Sequence, residues 1–181
     1  MKKLLVIDSH ALIHRLFHAM PPLSTEENEP VGAIYGLSKL LIRILKDEKP
    51  DYIAACFDRP EPTFRKKEFS EYKAKRPEVS SDLIPQLNEA RKTFEAFGIK
   101  VFEAAGYEAD DLIATIAEKY KGTEDLQIVI LSGDRDLLQL VEGDTVVADM
   151  IKGGSSDVDR YNEQAVLDKY EMGPDIITDL K

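Results

Sequence analysis

The chain has 181 residues, 43% of them hydrophobic and 32% charged, with a formal net charge of −10. This is the size of one domain, 1–181, with a composition ordinary for a soluble globular protein, while the negative total counts against nucleic acid as a partner unless charge is unevenly distributed. The one cysteine, Cys56, excludes an internal disulfide framework and points to a reducing, cytoplasmic setting, and no stretch approaches membrane-spanning length.

Met1-Lys-Lys-Leu-Leu-Val-Ile imitates the start of a signal peptide, but Asp8 ends the apolar run too early and no small-residue cleavage site follows. Residues 4–7 read instead as a buried strand that stops at Asp8. Residues 10–19 have helical spacing and stop at Pro21-Pro22, and 23–31 form a polar loop. Residues 33–46 are an amphipathic helix whose stripe is Ile34, Leu37, Leu41, Ile44 and Leu45. A second strand, 52–57, contains Cys56 as a small buried hydrophobe and ends in Asp58. The segment 59–77 then changes character, with seven Lys or Arg against three Glu, a net +4, and Phe64, Phe69 and Tyr72 interleaved.

After a Ser80-Ser81 cap, 83–97 is helical, Gly98 ends it, and 99–102 is the third strand. A helix over 108–120 buries Leu112, Ile113, Ile116 and Ala117. The fourth strand is 126–131, a short helix covers 136–141, and 145–148 is a fifth strand. Gly153-Gly154-Ser155-Ser156 is a turn, 162–170 a helix capped by Asn162, and a further helix starts at Asp175. Strand and helix alternate, and the strands are apolar throughout rather than alternating. That pattern predicts an α/β fold with a parallel sheet covered by helices on both faces.

The acids follow the strands. Asp8 ends strand one and Asp58 strand two; Glu108, Asp110 and Asp111 follow strand three; Asp134 and Asp136 follow strand four. Ligands of open parallel sheets bind at the carboxyl ends of the strands, which puts all seven acids at one edge. Crowded carboxylates raise each other's pKa, and a divalent cation is the simplest counter-charge. Oxygen-only ligands favour Mg²⁺ or Mn²⁺, and seven acids suit two ions, which at about 4 Å apart activate a water and stabilise a leaving phosphodiester oxygen. His10, His14 and His18, at i, i+4 and i+8, carry a weaker zinc reading.

These residues match a family. Val6-Ile-Asp-Ser-His10, Arg15-Leu-Phe-His-Ala19, Phe57-Asp58, Thr63-Phe-Arg65, Tyr72-Lys-Ala-Lys-Arg-Pro77, Gly106-Tyr-Glu-Ala-Asp-Asp111 and Ser132-Gly-Asp-Arg-Asp136 occur in its order. The chain resembles the 5′-nuclease domain of bacterial DNA polymerase I and, more distantly, the flap endonucleases and phage 5′ nucleases. The resemblance implies a PIN-like, Rossmann-like, mostly parallel sheet with the basic segment 59–80 as an arch above the acidic edge. It implies a Mg²⁺- or Mn²⁺-dependent nuclease acting in replication and repair on DNA with a 5′ flap, nick or single-stranded 5′ end, with a polymerase domain or separate protein as partner. Asp8, Asp58, Glu108 and Asp110 would hold the first ion; Asp110, Asp134 and Asp136 the second, with Asp111 binding directly or through a neighbouring ligand.

By the same resemblance Lys73 and Arg76 would act catalytically on the scissile phosphate. Arg15 and Arg65 would contact DNA, and Tyr72 would stack on a base. His14 stands where the family normally has Tyr. The family continues past a segment like Ile176-Ile-Thr-Asp-Leu-Lys181 into a Gly-Asp-x-Ser-Asp-Asn stretch and a helix–turn–helix-like DNA-binding element. Both lie beyond this sequence, so the expectation is a truncated domain with an incomplete second metal site. The alternative is a catalytically impaired homologue that binds DNA or protein with one metal site. A haloacid-type phosphatase fails, because His10 stands where its second Asp is needed.

Overall fold

The computed structural model describes residues 1–69, 71, 79–151 and 158–180. Its strands are β1 (Lys2–Asp8), β2 (Tyr52–Cys56), β3 (Lys100–Phe102), β4 (Leu126–Ser132), β5 (Val146–Ile151) and β6 (Val158–Tyr161). They form one sheet in the order β3-β2-β1-β4-β5-β6. The first five are parallel, with Asp8 opposite Cys56 and Ile7 opposite Leu131, while β6 runs antiparallel to β5. The expected mostly parallel sheet is therefore present. The antiparallel edge strand is a correction to the wholly parallel pattern read from periodicity, and β5 extends past 148 to Ile151.

The helices are α1 (Ser9–Ala19), α2 (Gly32–Glu48), α3 (Phe64–Glu68), α4 (Leu83–Ala96), α5 (Ala109–Tyr120) and α6 (Glu163–Tyr170), with 3-10 segments at Arg135–Leu140 and Pro174–Leu180. Successive strand residues point to opposite faces, so each strand feeds two cores. Leu5, Ile7, Val129 and Leu131 pack under α1, α2 and α4 with Leu12, Leu37, Leu41 and Phe94. Val6, Ile128, Ile130 and Ala148 pack under α5 and α6 with Ile113, Leu138 and Val166. Being covered on both faces explains why these strands are apolar without alternation.

One helix end is closed from a distance and one locally. The α2 N-terminus has no side-chain cap of its own; its Ala33 N–H donates to buried Gln86 of α4 at 2.7 Å. At α4 the Ser80 carbonyl accepts from Leu83 N at 2.9 Å and the Ser80 hydroxyl from Asp82 N at 3.3 Å. The outer strands are tied to α2 by Arg160, whose Nε and Nη2 both lie 2.7 Å from buried Asp149. Arg160 also reaches Glu48 at 2.9 Å, and Glu48 in turn meets Lys3 at 2.9 Å.

Candidate metal and phosphate site

The sheet changes winding direction between β1 and β4: the chain moves from β1 to β2 on one side and joins β4 on the other. Crevices at such switch points are where open α/β sheets bind ligands. Here the crevice is a cavity of about 690 Å³ lined by Asp8, Asp58, Glu108, Asp110 and Asp134, together with Arg15, His10 and His14. The acid-bearing strands are neighbours, β3-β2-β1-β4. Asp111 and Asp136 are not among the residues lining this cavity.

Local folding explains why each acid stands where it does. Asp8 is the N-cap of α1, its Oδ1 accepting from Ala11 N at 3.1 Å. Asp134 caps the 3-10 turn, accepting from Asp136 N at 3.0 Å. Asp111 reaches back to Glu108 N at 2.9 Å, the reciprocal half of a capping box at the start of α5. Asp58 accepts from Ala109 N at 2.6 Å, so it too leans on the α5 start. Three helical N-termini thus converge on the cavity, and their dipoles favour the negative charge gathered there.

Asp8 is the most constrained member, 2% exposed. Burial pushes its carboxyl up to about 6 from an ordinary 3.8; the Ser132 hydroxyl and Ala11 N–H pull it down, and the charges of Asp58 and Asp134 push it up. Ser132, buried at the end of β4, donates to Asp8 Oδ2 at 2.6 Å and accepts from Asp134 N at 2.9 Å. It joins acids from two strands, a role the sequence reading did not assign, although Ser132 lies inside a quoted motif. Cys56 is buried as expected, and burial followed by the Asp8 charge pushes its thiol up to about 12.

Arg15 extends from α1 to the cavity wall, where Nη1 donates to the Gly133 carbonyl at 3.4 Å and Nε is buried with no hydrogen-bond partner among the described residues. Arg65 is directed differently: its guanidinium makes a two-pronged bond to Asp111, at 2.8 and 2.6 Å. The His10 and His14 rings meet at a tilt, 5.2 Å between centroids, whereas His18 packs edge-on to Phe17. The three histidines are therefore not gathered at one point. Among the described residues no three His, Cys, Asp or Glu side chains are drawn close enough to share one ion as they stand. Tyr72, Lys73 and Arg76 lie outside the described residues. The segment carrying them departs at α3 and is rejoined at Val79, which lines the cavity.

The family model for the 5′-3′ exonuclease N-terminal resolvase-like domain matches residues 3–171. The chain belongs to this 5′-3′ exonuclease family. Within it, the chain is 38% identical over 180 residues to the DNA polymerase I of Caldicellulosiruptor bescii, covering 99% of this chain and 21% of that protein. It is 35% identical over 179 residues to the 5′-3′ exonuclease of Aquifex aeolicus, covering 99% of this chain and 60% of that protein. The chain thus spans about a fifth of the polymerases it matches. In fold, the chain resembles a bacteriophage T5 5′-exonuclease solved with bound zinc, with TM-score 0.71 and 19% identity over 99% of this chain and 65% of that one. It also resembles flap endonuclease-1 of Methanococcus jannaschii, with TM-score 0.60 and 20% identity over 98% of this chain and 62% of that one. The PIN-like α/β architecture expected from the sequence is the one found.

Proposed function

We propose that this chain is the catalytic part of a divalent-metal-dependent 5′ nuclease that hydrolyses phosphodiester bonds in flapped or nicked DNA. The observation carrying this reading is the meeting of carboxylates from four adjacent strands around one cavity at the switch point. Their chemistry fits a hard cation: every acid offers oxygen only, and Asp8, raised first by burial and then by the charges of Asp58 and Asp134, is a carboxylate that a cation's counter-charge would favour. The T5 relative is described with divalent metal ions, and a T5 flap endonuclease complex with both DNA and metal ions.

Asp8, Asp58, Glu108 and Asp110 would hold one Mg²⁺ or Mn²⁺, and Asp134 and Asp136, with Asp110, a second. Bound there, such ions supply a nucleophilic water at neutral pH and Lewis-acid stabilisation of the leaving oxygen. The chain's own residues do the rest. Ser132 and the helix N-termini keep the carboxylates aimed at the cavity. Arg15, whose buried Nε has no hydrogen-bond partner among the described residues, lies on the cavity wall and binds a phosphate oxygen. Lys73 and Arg76 counter charge developing on the scissile phosphate, and Tyr72 stacks on an adjacent base.

The test is cleavage of a 5′-flap duplex with Mg²⁺ or Mn²⁺, beside Asp134→Asn and an EDTA control. Cleavage by the wild-type protein alone, abolished by EDTA, is expected. Cleavage that survives chelation or the substitution overturns the proposal. Lys73→Ala lowers turnover with little change in Mn²⁺ affinity; equal loss of both would remove Lys73 from its role.

A further inference from the structure

Arg65 sits in a run of cations, where it reads as one more contact to DNA. Its surroundings in the fold are different. Nη1 and Nη2 each donate to a separate oxygen of Asp111, at 2.8 and 2.6 Å, and Nη1 lies 3.6 Å from Glu108 Oε2. Two-thirds of the Arg65 side chain and four-fifths of that of Asp111 are covered. A planar fork matched to a carboxylate is the strong form of ion pair, and lysine cannot reproduce it. Asp111 is committed a third time, accepting the Glu108 N–H at 2.9 Å. One carboxylate therefore both closes the first turn of α5 and holds Arg65.

The same junction is tied by contacts other than the ion pair. Phe64 N donates to the Gly106 carbonyl at 2.9 Å. The Phe64 and Tyr107 rings pack at 5.7 Å, and the Arg65 guanidinium covers the Phe64 ring at 4.7 Å. Gly106 makes this approach at φ +84, a conformation that suits glycine. The start of the basic segment and the start of α5 are thus joined by backbone, ring and ion pair together.

We propose that Arg65 and Asp111 are a positioning pair, an ion-pair latch joining the start of the basic segment to the helix cap that presents Glu108 and Asp110. In this role Asp111 is not a metal ligand and Arg65 is not a DNA contact. The latch sets Glu108 through the shared cap, and it fixes α3 against the start of α5. Its catalytic consequence rests on the nuclease reading above.

The experiment is a double-mutant cycle of Arg65→Ala, Asp111→Ala and the pair together. It reads kcat and KM on a 5′-flap duplex, the number and affinity of bound Mn²⁺ by electron paramagnetic resonance, and the rate of trypsin cleavage after Lys66 and Lys67. Each single substitution is expected to lower kcat about 10- to 100-fold, the cost of misplacing groups by an ångström or so, with KM nearly constant. The double variant should be no worse than the poorer single. Arg65→Lys should stay low, because it keeps the charge and loses the fork. Mn²⁺ stoichiometry should be unchanged in Asp111→Ala. Loss of an Mn²⁺ there makes Asp111 a ligand and overturns the proposal, as does a raised KM in Arg65→Ala alone or additive losses in the cycle. If the wild type does not cleave at all, the nuclease reading fails and trypsin still decides the latch. Equal acceleration in both single variants, with no further gain in the double, supports it; unchanged rates refute it.

Discussion

Replacing Ser132 by alanine removes the hydroxyl that links Asp8 to Asp134, and the structure sets the size of the effect. The Oγ–H donates to the Asp8 carboxylate at 2.6 Å within a buried pair, and this bond holds the Asp8 pKa down against burial. A hydrogen bond to a charged group contributes about 1.5–3 kcal/mol, and one pKa unit corresponds to 1.36 kcal/mol. Asp8, already at about 6, should therefore move up by roughly 1–2 units. Protons and divalent cations compete for the same carboxylate, so the shift is read most directly when metal is limiting. The assay is kcat/KM for flap cleavage at sub-saturating Mg²⁺ between about pH 5 and 9, with Mn²⁺ affinity measured over the same range. The acidic limb should move up by about 1–2 pH units in Ser132→Ala and return in Ser132→Thr, which keeps the hydroxyl. An unmoved limb in a folded Ser132→Ala protein refutes the reasoning. A limb that moves down would mean the hydroxyl stabilises the protonated acid instead.

Other expectations follow from the same geometry. Because the folded pKa of Asp8 is raised, the native state binds the extra proton between pH 3.8 and about 6, so stability of the metal-free protein is full below that window and lost as pH rises through it. Asp8→Asn should then raise metal-free stability at pH 7.5 by up to about 3 kcal/mol in urea unfolding while abolishing metal-dependent cleavage; a lower stability would contradict the sign. Gly133→Ala would put a Cβ 3.1 Å from Arg15 Cδ and 3.5 Å from Nη1. It should cost about tenfold or more in kcat/KM, as should Arg15→Ala, and combining the two should add little. Arg160→Ala leaves buried Asp149 without its two-pronged partner. It should destabilise by about 3 kcal/mol in urea, at the low end for a broken buried pair because water reaches a site beside a half-exposed arginine. Asp149→Leu with Arg160→Met should recover most of that loss.

The parts legible in the sequence were those written in short-range pattern. Strands buried on two faces are unbroken apolar runs, and each of β1, β2 and β4 stops within two residues of a carboxylate, so both the sheet and its acidic edge could be read from the chain. What was missed depends on distant partners. β6 is four residues long and polar in its middle, and Arg160 has its reason in Asp149, 11 residues away. α3 is five residues long, too short for helical periodicity to register. The pairing of Arg65 with Asp111 could not be read from the chain, because the two lie 46 residues apart.

The same logic explains what the acids do before any cation arrives. Asp8, Asp134 and the Glu108–Asp111 pair each close a helical first turn, so the fold holds their charge with N–H groups and helix dipoles worth about 0.3–1 kcal/mol apiece. That offsets part of the cost of burying and crowding the charge, and the raised Asp8 pKa, set first by burial and then by Asp58 and Asp134, is the part left over. A cap is a structural need in its own right, worth about 1 kcal/mol when lost to alanine. Alanine at these positions therefore mixes two losses, whereas asparagine keeps an oxygen for the cap and removes only the charge. Comparing the two substitutions at Asp8 and Asp134 separates folding from cation binding: stability should distinguish alanine from asparagine, and Mn²⁺ affinity should not.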